Sequence, residues 1–377
     1  MKTYRYDFNG IFALRTNIPY FEGMMHSFRT SLEEGNTASN SSNRSLAEES
    51  EPRVEKSSTW LLEFIRDDNL EVKPEGKEKV NLMLYHDRSS GAIEFLYPWF
   101  RPVCAKLEAI DGCDEGRKGF RFTFNKRYLT FSDIVAEGWE LIDQLRSLLL
   151  VHLIRNRKYM LHAAAVKLGE DGIIFPAFGN TGKTTTSWML ARQKKLGAQF
   201  LTDEFAILDS DRYCYGLPCS SVISKVTVRK FNIKLTGAQH LSMFLNDLKS
   251  KALSTRFAPG GIKIYPDSIL PTVTKGRINH LAIIQNGIDR IETLGKREAL
   301  QRIRAIQDYE FGWKSNPYLL AESFFNGLDL GTLSEVENRF LQEFLAGIDD
   351  IYLVSSSKAE HYKAAIEKIL PLKTAIN

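Results

Sequence analysis

Over residues 1–131 apolar and polar positions alternate in short pieces, the period of half-buried strands. Such pieces occur at Tyr4–Phe8, Ile11–Leu14, Trp60–Ile65, Val80–Tyr85, Ala92–Leu96, Gly119–Phe124 and Tyr128–Phe131, with turn residues between them. Ser31 to Ser58 breaks the pattern: it is rich in Ser, Asn, Glu and Arg and contains Ser39-Asn40-Ser41-Ser42-Asn43. So few apolar groups cannot offset the entropy of ordering, so residues 31–58 are expected to be a flexible insertion in a β-rich N-terminal domain. From Ser132 the period becomes helical, with Ile134, Val135, Trp139, Leu141, Ile142, Leu145, Leu148, Leu149 and Leu153 on one stripe. Ser132 and Asp133 suit the N-cap, and Arg155-Asn156-Arg157 suits the C-terminus.

A second domain is expected over residues 132–377, of α/β class. Met160–Leu168 reads as a strand, Glu170-Asp171-Gly172 as a tight turn, and Ile173–Phe175 as the returning strand of a hairpin. A helix follows, for which Gly197 is the expected C-cap. Gln199–Leu208 reads as a strand interrupted by two acids. Residues 221–231 and 280–285 read as further strands, and Thr332–Gly347 and Ser357–Leu370 as terminal helices.

Between hairpin and helix lies Ala177-Phe178-Gly179-Asn180-Thr181-Gly182-Lys183-Thr184, which has the spacing of a phosphate-binding loop with Ala in the first glycine position. Strand, glycine-bearing turn and helix is the context in which consecutive backbone N–H groups and a positive helix end face one anion. Gly179, Asn180, Thr181, Gly182, Lys183, Thr184 and Thr185 are therefore the expected nucleotide-binding residues. Lys183 would reach the β- and γ-phosphates, and the Thr184 hydroxyl would coordinate Mg²⁺. The expected cofactors are ATP and Mg²⁺.

Asp203 and Glu204 follow in an otherwise apolar segment. One carboxylate can hold Mg²⁺ and a second can accept a proton from an attacking hydroxyl, although adjacent strand residues normally point to opposite faces unless the chain bends. His162 stands alone in an apolar strand, where a histidine is ordinarily a satisfied core residue. Lys225, Arg229 and Lys263 are weaker candidates for neutralising phosphate charge, and Asn246–Gly261 for a mobile lid or substrate loop. The aromatic-rich Tyr309–Trp313 and Phe324-Phe325 suit core packing better than a peptide groove.

Composition narrows the classes. Fifty Lys and Arg stand against 46 Asp and Glu, for a net charge of +4, which makes no case for nucleic-acid binding. The chain has no apolar run long enough to span a membrane, and Met1–Asp7 is polar, so a cytoplasmic location is expected. Cys104, Cys113, Cys214 and Cys219 have no metal-site spacing and read as idle thiols.

Leu161-His162-Ala163-Ala164-Ala165-Val166, Gly179-Asn180-Thr181-Gly182-Lys183-Thr184 and Leu201-Thr202-Asp203-Glu204 together resemble the catalytic core of HPr kinase/phosphorylase, and more closely the HPr-kinase-related enzymes of peptide biosynthesis clusters, such as lasso-peptide kinases. The resemblance covers about residues 160–230. It implies a P-loop core of the HPr kinase/phosphoenolpyruvate carboxykinase type. Asp203 would be the base, Glu204 a metal-site acid beside Thr184 and Asp203, and His162 a neighbour of the γ-phosphate. The pair is Asp-Glu where HPr kinases have Asp-Asp, and the HPr kinase C-terminal signature has no copy here. The implied activity is ATP-dependent phosphorylation of a hydroxyl, a serine of a peptide or protein, by an enzyme whose relatives often form homo-oligomers. A kinase of free serine or another small molecule, and a non-catalytic ATP-binding module, are the alternatives.

Overall fold

Alternating segments this short can bury their apolar faces only by pairing, and they do. The structure is a computed structural model that describes residues 3–8, 11–18, 29–33, 60–81, 83–97, 102–111, 118–129, 141–193, 197–216, 221–252 and 261–369. These hold a mixed α/β fold with two nine-stranded mixed sheets and one two-stranded ribbon. The chain forms two compact units: Met1–His152 with Trp313–Leu330, and Leu153–Gly312 with Gly331–Asn377.

In the first unit the strands are β1 (Thr3–Phe8), β2 (Phe12–Thr16), β3 (Arg29–Glu33), β4 (Trp60–Arg66), β5 (Glu78–Lys79), β6 (Leu84–Asp87), β7 (Ala92–Tyr97), β8 (Val103–Asp111) and β9 (Lys118–Phe124). Their order is β3-β1-β2-β4-β9-β8-β7-β6-β5. β4 runs parallel to both β2 and β9, and the other pairs are antiparallel. Phe95, Phe122, Phe124, Tyr128 and Tyr318 form a ring cluster in its core. Helix α1 (Leu141–Arg155) begins in this unit. Within it, Asn316 donates to Gln144 (2.9 Å) and Ser147 (3.2 Å). The same Asn316 caps a later helix, Pro317–Asn326, by accepting from the N–H groups of Tyr318 and Leu319. Asn at the N-cap, Pro at the first turn and Gly327 in the left-handed C-terminal position are the residues those positions favour.

The sequence reading divides the chain at 131/132, whereas residues 141–152 and 313–330 group with the N-terminal strands. Ser31–Glu33, expected to open the insertion, belong to β3, because β1 offers an edge for them to pair with. Residues 34–59 and 130–140 lie outside the described residues. Tyr128 falls in a helical turn over 126–129 rather than a strand, its N–H donating to Asn125.

In the second unit the sheet comprises β10 (Lys158–Leu168), β11 (Asp171–Pro176), β12 (Ala198–Thr202), β13 (Phe205–Asp209), β14 (Tyr213–Gly216), then, past a ribbon of β15 (Ser221–Ser224) and β16 (Gly261–Ile264), β17 (Lys275–Arg277), β18 (His280–Asn286), β19 (Arg290–Thr293) and β20 (Asp350–Ser356). The order is β17-β14-β13-β10-β11-β18-β20-β19, with β12 also paired to β10. β11, β18 and β20 are mutually parallel, and the rest antiparallel. The helices after α1 are α2 (Lys183–Ala191), α3 (Lys225–Lys230), α4 (Gly237–Ala252), α5 (Lys296–Glu310), α6 (Pro317–Asn326, in the first unit), α7 (Leu330–Ala346) and α8 (Ala359–Ile369).

Ala164, Val166, Ile173, Phe175 and Ala177 pack with Leu190 of α2 and Tyr362 and Ile366 of α8 on one face of the sheet. A second cluster joins Trp188, Phe200, Val228, Phe231 and Met243. That cluster explains another correction: residues 225–230 form α3, not a strand. The β-branched run there favours a strand, but burying Val228 and Phe231 against Trp188 and Phe200 needs helical spacing. Helix α2 stops at Ala191, with Arg192 as its C-cap, so Gly197 is not the cap. Among the described residues no helix is long and apolar enough to cross a membrane.

Gly216 lets β14 approach β12 closely, since a Cβ there would overlap the Leu201 carbonyl oxygen. Gly216→Ala is expected to cost about 1–3 kcal/mol of stability by overpacking. Gly237→Ala, with nothing within 4 Å of the added methyl, is expected to leave it nearly unchanged. The midpoints of urea unfolding compare the two.

Candidate functional site

β10 organises the site. On one edge Ala163 pairs with Pro176, where β11 ends and the Ala177–Thr184 turn begins. On the other edge Ala165 pairs with Thr202 and His162 with Phe205, so Asp203 and Glu204 lie at the level of Ala164 and Ala163. The turn and the acids are thus two strand spacings apart, about 10 Å between backbones. Alternation along β10 puts His162 on the same face as Ala164 and Val166, the face that packs on α2.

The turn is built as its residue types require. Asn180 (φ 60°) and Gly182 (φ 95°) are left-handed, a conformation that Asn tolerates and Gly favours. The Thr181 hydroxyl donates to the Phe178 carbonyl at 2.9 Å, and Thr186 N–H donates to Gly182 O at 2.9 Å, opening α2. Phe178, Gly179 and Asn180 are exposed, whereas Lys183 is 6% exposed and Thr184 and Thr185 are half-buried.

The two acids do not sit in a continuous strand. They form a bend between β12 and β13, so the opposite-face rule for adjacent strand residues does not apply to them. Asp203 is 6% exposed and Glu204 half-buried, which distinguishes the pair from a solvated strand end. The Thr202 hydroxyl spans the bend by donating to the Phe205 carbonyl at 3.0 Å.

Two residues from α5 complete the site, and the sequence reading missed both. Gln307 is buried; its side-chain oxygen accepts from His162 N–H at 2.7 Å, and its NH₂ donates to the Met160 carbonyl at 2.9 Å and to Tyr159 Oη at 3.1 Å. β11 has left β10 by this point, so those two backbone groups have lost a strand partner on that edge, and a primary amide supplies both the donor and the acceptor they need. Tyr159 in turn donates to Glu337 at 2.6 Å, and burial, followed by the nearby carboxylate, pushes its hydroxyl well above the usual tyrosine range. Glu310, the last residue of α5, accepts from Gly179 N–H through Oε1 at 2.6 Å, while its Oε2 lies 3.5 Å from His162 Nδ1. The ring of His162 also lies 5.8 Å from that of Phe311. The available signal was Ala299, Ile303 and Ile306 at helical spacing, which places Gln307 and Glu310 on or beside one inward-facing helix stripe.

The other candidates stand on other elements. Lys225 and Arg229 are exposed on α3, and Lys263 is on β16. Residues 246–252 of the suggested lid are the end of α4, and 253–260 lie outside the described residues. Of the aromatic segments, Phe311 and Trp313 are buried, whereas Tyr309 is 78% and Phe324 82% exposed. Cys104 and Cys214 are buried free cysteines whose thiols burial pushes up, which suits idle thiols; Cys113 and Cys219 lie outside the described residues.

Chemically, the arrangement offers a backbone N–H that holds an anion, a buried ammonium at a positive helix end, and a buried carboxylate on the neighbouring strand turn. No protein-family model matches the chain, and no curated protein matches it.

Gln307→Leu removes both halves of the amide bridge and leaves buried backbone groups of β10 without partners. The expected loss is about 1–3 kcal/mol of stability, read as a shift in the urea midpoint relative to wild type.

Proposed function

We propose that the second unit is an ATP-dependent kinase with a P-loop core of the HPr-kinase type, transferring the γ-phosphate to a hydroxyl, most simply a serine of a peptide or protein. One observation carries the reading: the N–H of Gly179, in a turn with phosphate-loop spacing, already holds a carboxylate, a stand-in for phosphate. The register of β10 adds Asp203 and His162 to the same neighbourhood.

Under this reading Gly179 to Thr185 cradle the phosphates through backbone N–H groups and the N-terminus of α2, and Lys183 neutralises the charge on the β- and γ-oxygens. The Asp203 carboxylate takes the proton of the acceptor hydroxyl. The acceptor oxygen bonds to the γ-phosphorus as the bond to the β,γ-bridging oxygen breaks, and ADP leaves with that electron pair. His162 borders the reacting phosphoryl group and Asp203.

Thr184 and Glu204 are the residues that would hold Mg²⁺, with Asp203 beside them as the base, and when bound the ion would neutralise phosphate charge. Among the described residues no group of three or more His, Cys, Asp and Glu forms a metal cage, but Mg²⁺ on a nucleotide is usually held by one or two carboxylates, waters and the phosphates themselves.

Asp203→Asn is expected to lower phosphoryl transfer by about 10²–10⁴-fold, the scale of a lost general base, while ATP still binds. Lys183→Ala is expected to weaken both nucleotide binding and turnover. The measurement is transfer from γ-labelled ATP to serine-containing peptides or to free serine, beside ATP binding by calorimetry. Label on free serine alone would move the acceptor to a small molecule. Saturable ATP binding without transfer to any acceptor would replace the kinase by a binding module, and wild-type rates in Asp203→Asn would remove Asp203 from the base role.

A further inference from the structure

We propose that Glu310 determines whether the site prefers a nucleoside triphosphate or a diphosphate, because its carboxylate holds the position that only a terminal phosphate needs. This rests on the nucleotide-binding reading above. Glu310 Oε1 accepts the Gly179 N–H at 2.6 Å, and Oε2 faces His162 Nδ1 at 3.5 Å. In a turn of this kind the N–H groups at the start of α2, from Gly182 onward, receive the phosphate nearest the helix. Gly179 lies on the strand side of the turn, beside the His162 strand, where the outermost phosphate of a longer chain extends. A diphosphate can bind with Glu310 in place. A triphosphate must displace it, since two anions cannot share one N–H donor and would repel at this separation.

The carboxylate is well placed for such an exchange. It is carried by the last residue of α5, at the negative end of that helix, and is held by the turn that opens the positive end of α2. Its side chain is 18% exposed, so it can leave into solvent without uncovering the core. In the kinase cycle Glu310 would yield the Gly179 N–H to the γ-phosphate and reclaim it once that phosphate has gone to the acceptor. The resulting discrimination concerns the outer phosphate alone and leaves the rest of the nucleotide untouched.

The test uses the full chain with Mg²⁺, titrated with ADP and with a β,γ-imido analogue of ATP. Glu310→Gln is expected to tighten the triphosphate analogue about tenfold, the scale of one competing charge-assisted hydrogen bond, and to change ADP by less than about twofold. Asp308→Asn, an exposed acid on the same helix, is expected to leave the ratio of the two affinities as in wild type. If Glu310→Gln does not fold, Glu310→Asp, which keeps the charge but withdraws the carboxylate by one methylene, is expected to shift the ratio in the same direction. Equal tightening of both nucleotides, the same shift in Asp308→Asn, an unchanged ratio, or weaker triphosphate binding overturns the proposal and leaves the nucleotide site standing. Failure of every form, wild type included, to bind either nucleotide overturns the nucleotide reading and this inference with it.

Discussion

The candidate site depends on the pairing of β10 along both of its edges. An 11-residue strand, buried over most of its length, places Pro176 on one side and the Asp203-Glu204 bend on the other at the same level. Such a strand must be specified in register, because a slip of one residue exchanges its two faces. Here that slip would take His162 off the face of α2 and carry Tyr159 away from Gln307 and Glu337. Ala163, Ala164 and Ala165 supply little shape with which to resist it. The register is therefore held from outside the strand, by the amide of Gln307 on Met160 and His162 and by the Tyr159–Glu337 hydrogen bond.

The same network accounts for a polar cluster that would otherwise be expensive. Tyr159, Gln307 and Glu337 are all nearly inaccessible to water. A buried polar group costs stability unless its hydrogen-bonding capacity is met, and a partly satisfied network is worse than an apolar one. The departure of β11 into its turn is what creates the need. A strand that leaves a sheet to form a turn exposes backbone groups on its former neighbour. In this molecule a helix side chain closes the gap, so the turn can face solvent while the strand beside it stays paired.

Much of this was legible in the sequence. The β10–β11 hairpin, the turn, α2, β18, α7 and α8 follow from periodicity and from glycine and charge placement, with ends displaced by a few residues. The parts that were not legible share a cause. Residues 225–230 have the β-branched composition of a strand yet form a helix, because burial of Val228 and Phe231 against Trp188 and Phe200 outweighs local preference. The bend at Asp203-Glu204 depends on two strands pairing with one, which no local pattern encodes. Gln307 and Glu310 lie more than a hundred residues beyond the turn they serve. Their helix is amphipathic in the sequence, but the partner of its polar inward residue becomes visible only when β10 lies beside it.

Gln307 and Glu310 stand three apart, one helical turn, and so project from neighbouring positions of α5. The first fixes the helix to the sheet edge, assisted by the buried side chains of Ala299, Ile303 and Ile306. The second reaches from the end of that fixed helix to the turn. Removal of the Glu310 carboxylate from Gly179 then requires only rotation of one terminal side chain, with α5 held in place by the residues before it. A bistable element this small needs no hinge and no domain movement. It also ties anion occupancy at the turn to the element that sets the register of β10. The strand that presents His162 and the side chain that competes for the turn are therefore positioned by a single helix.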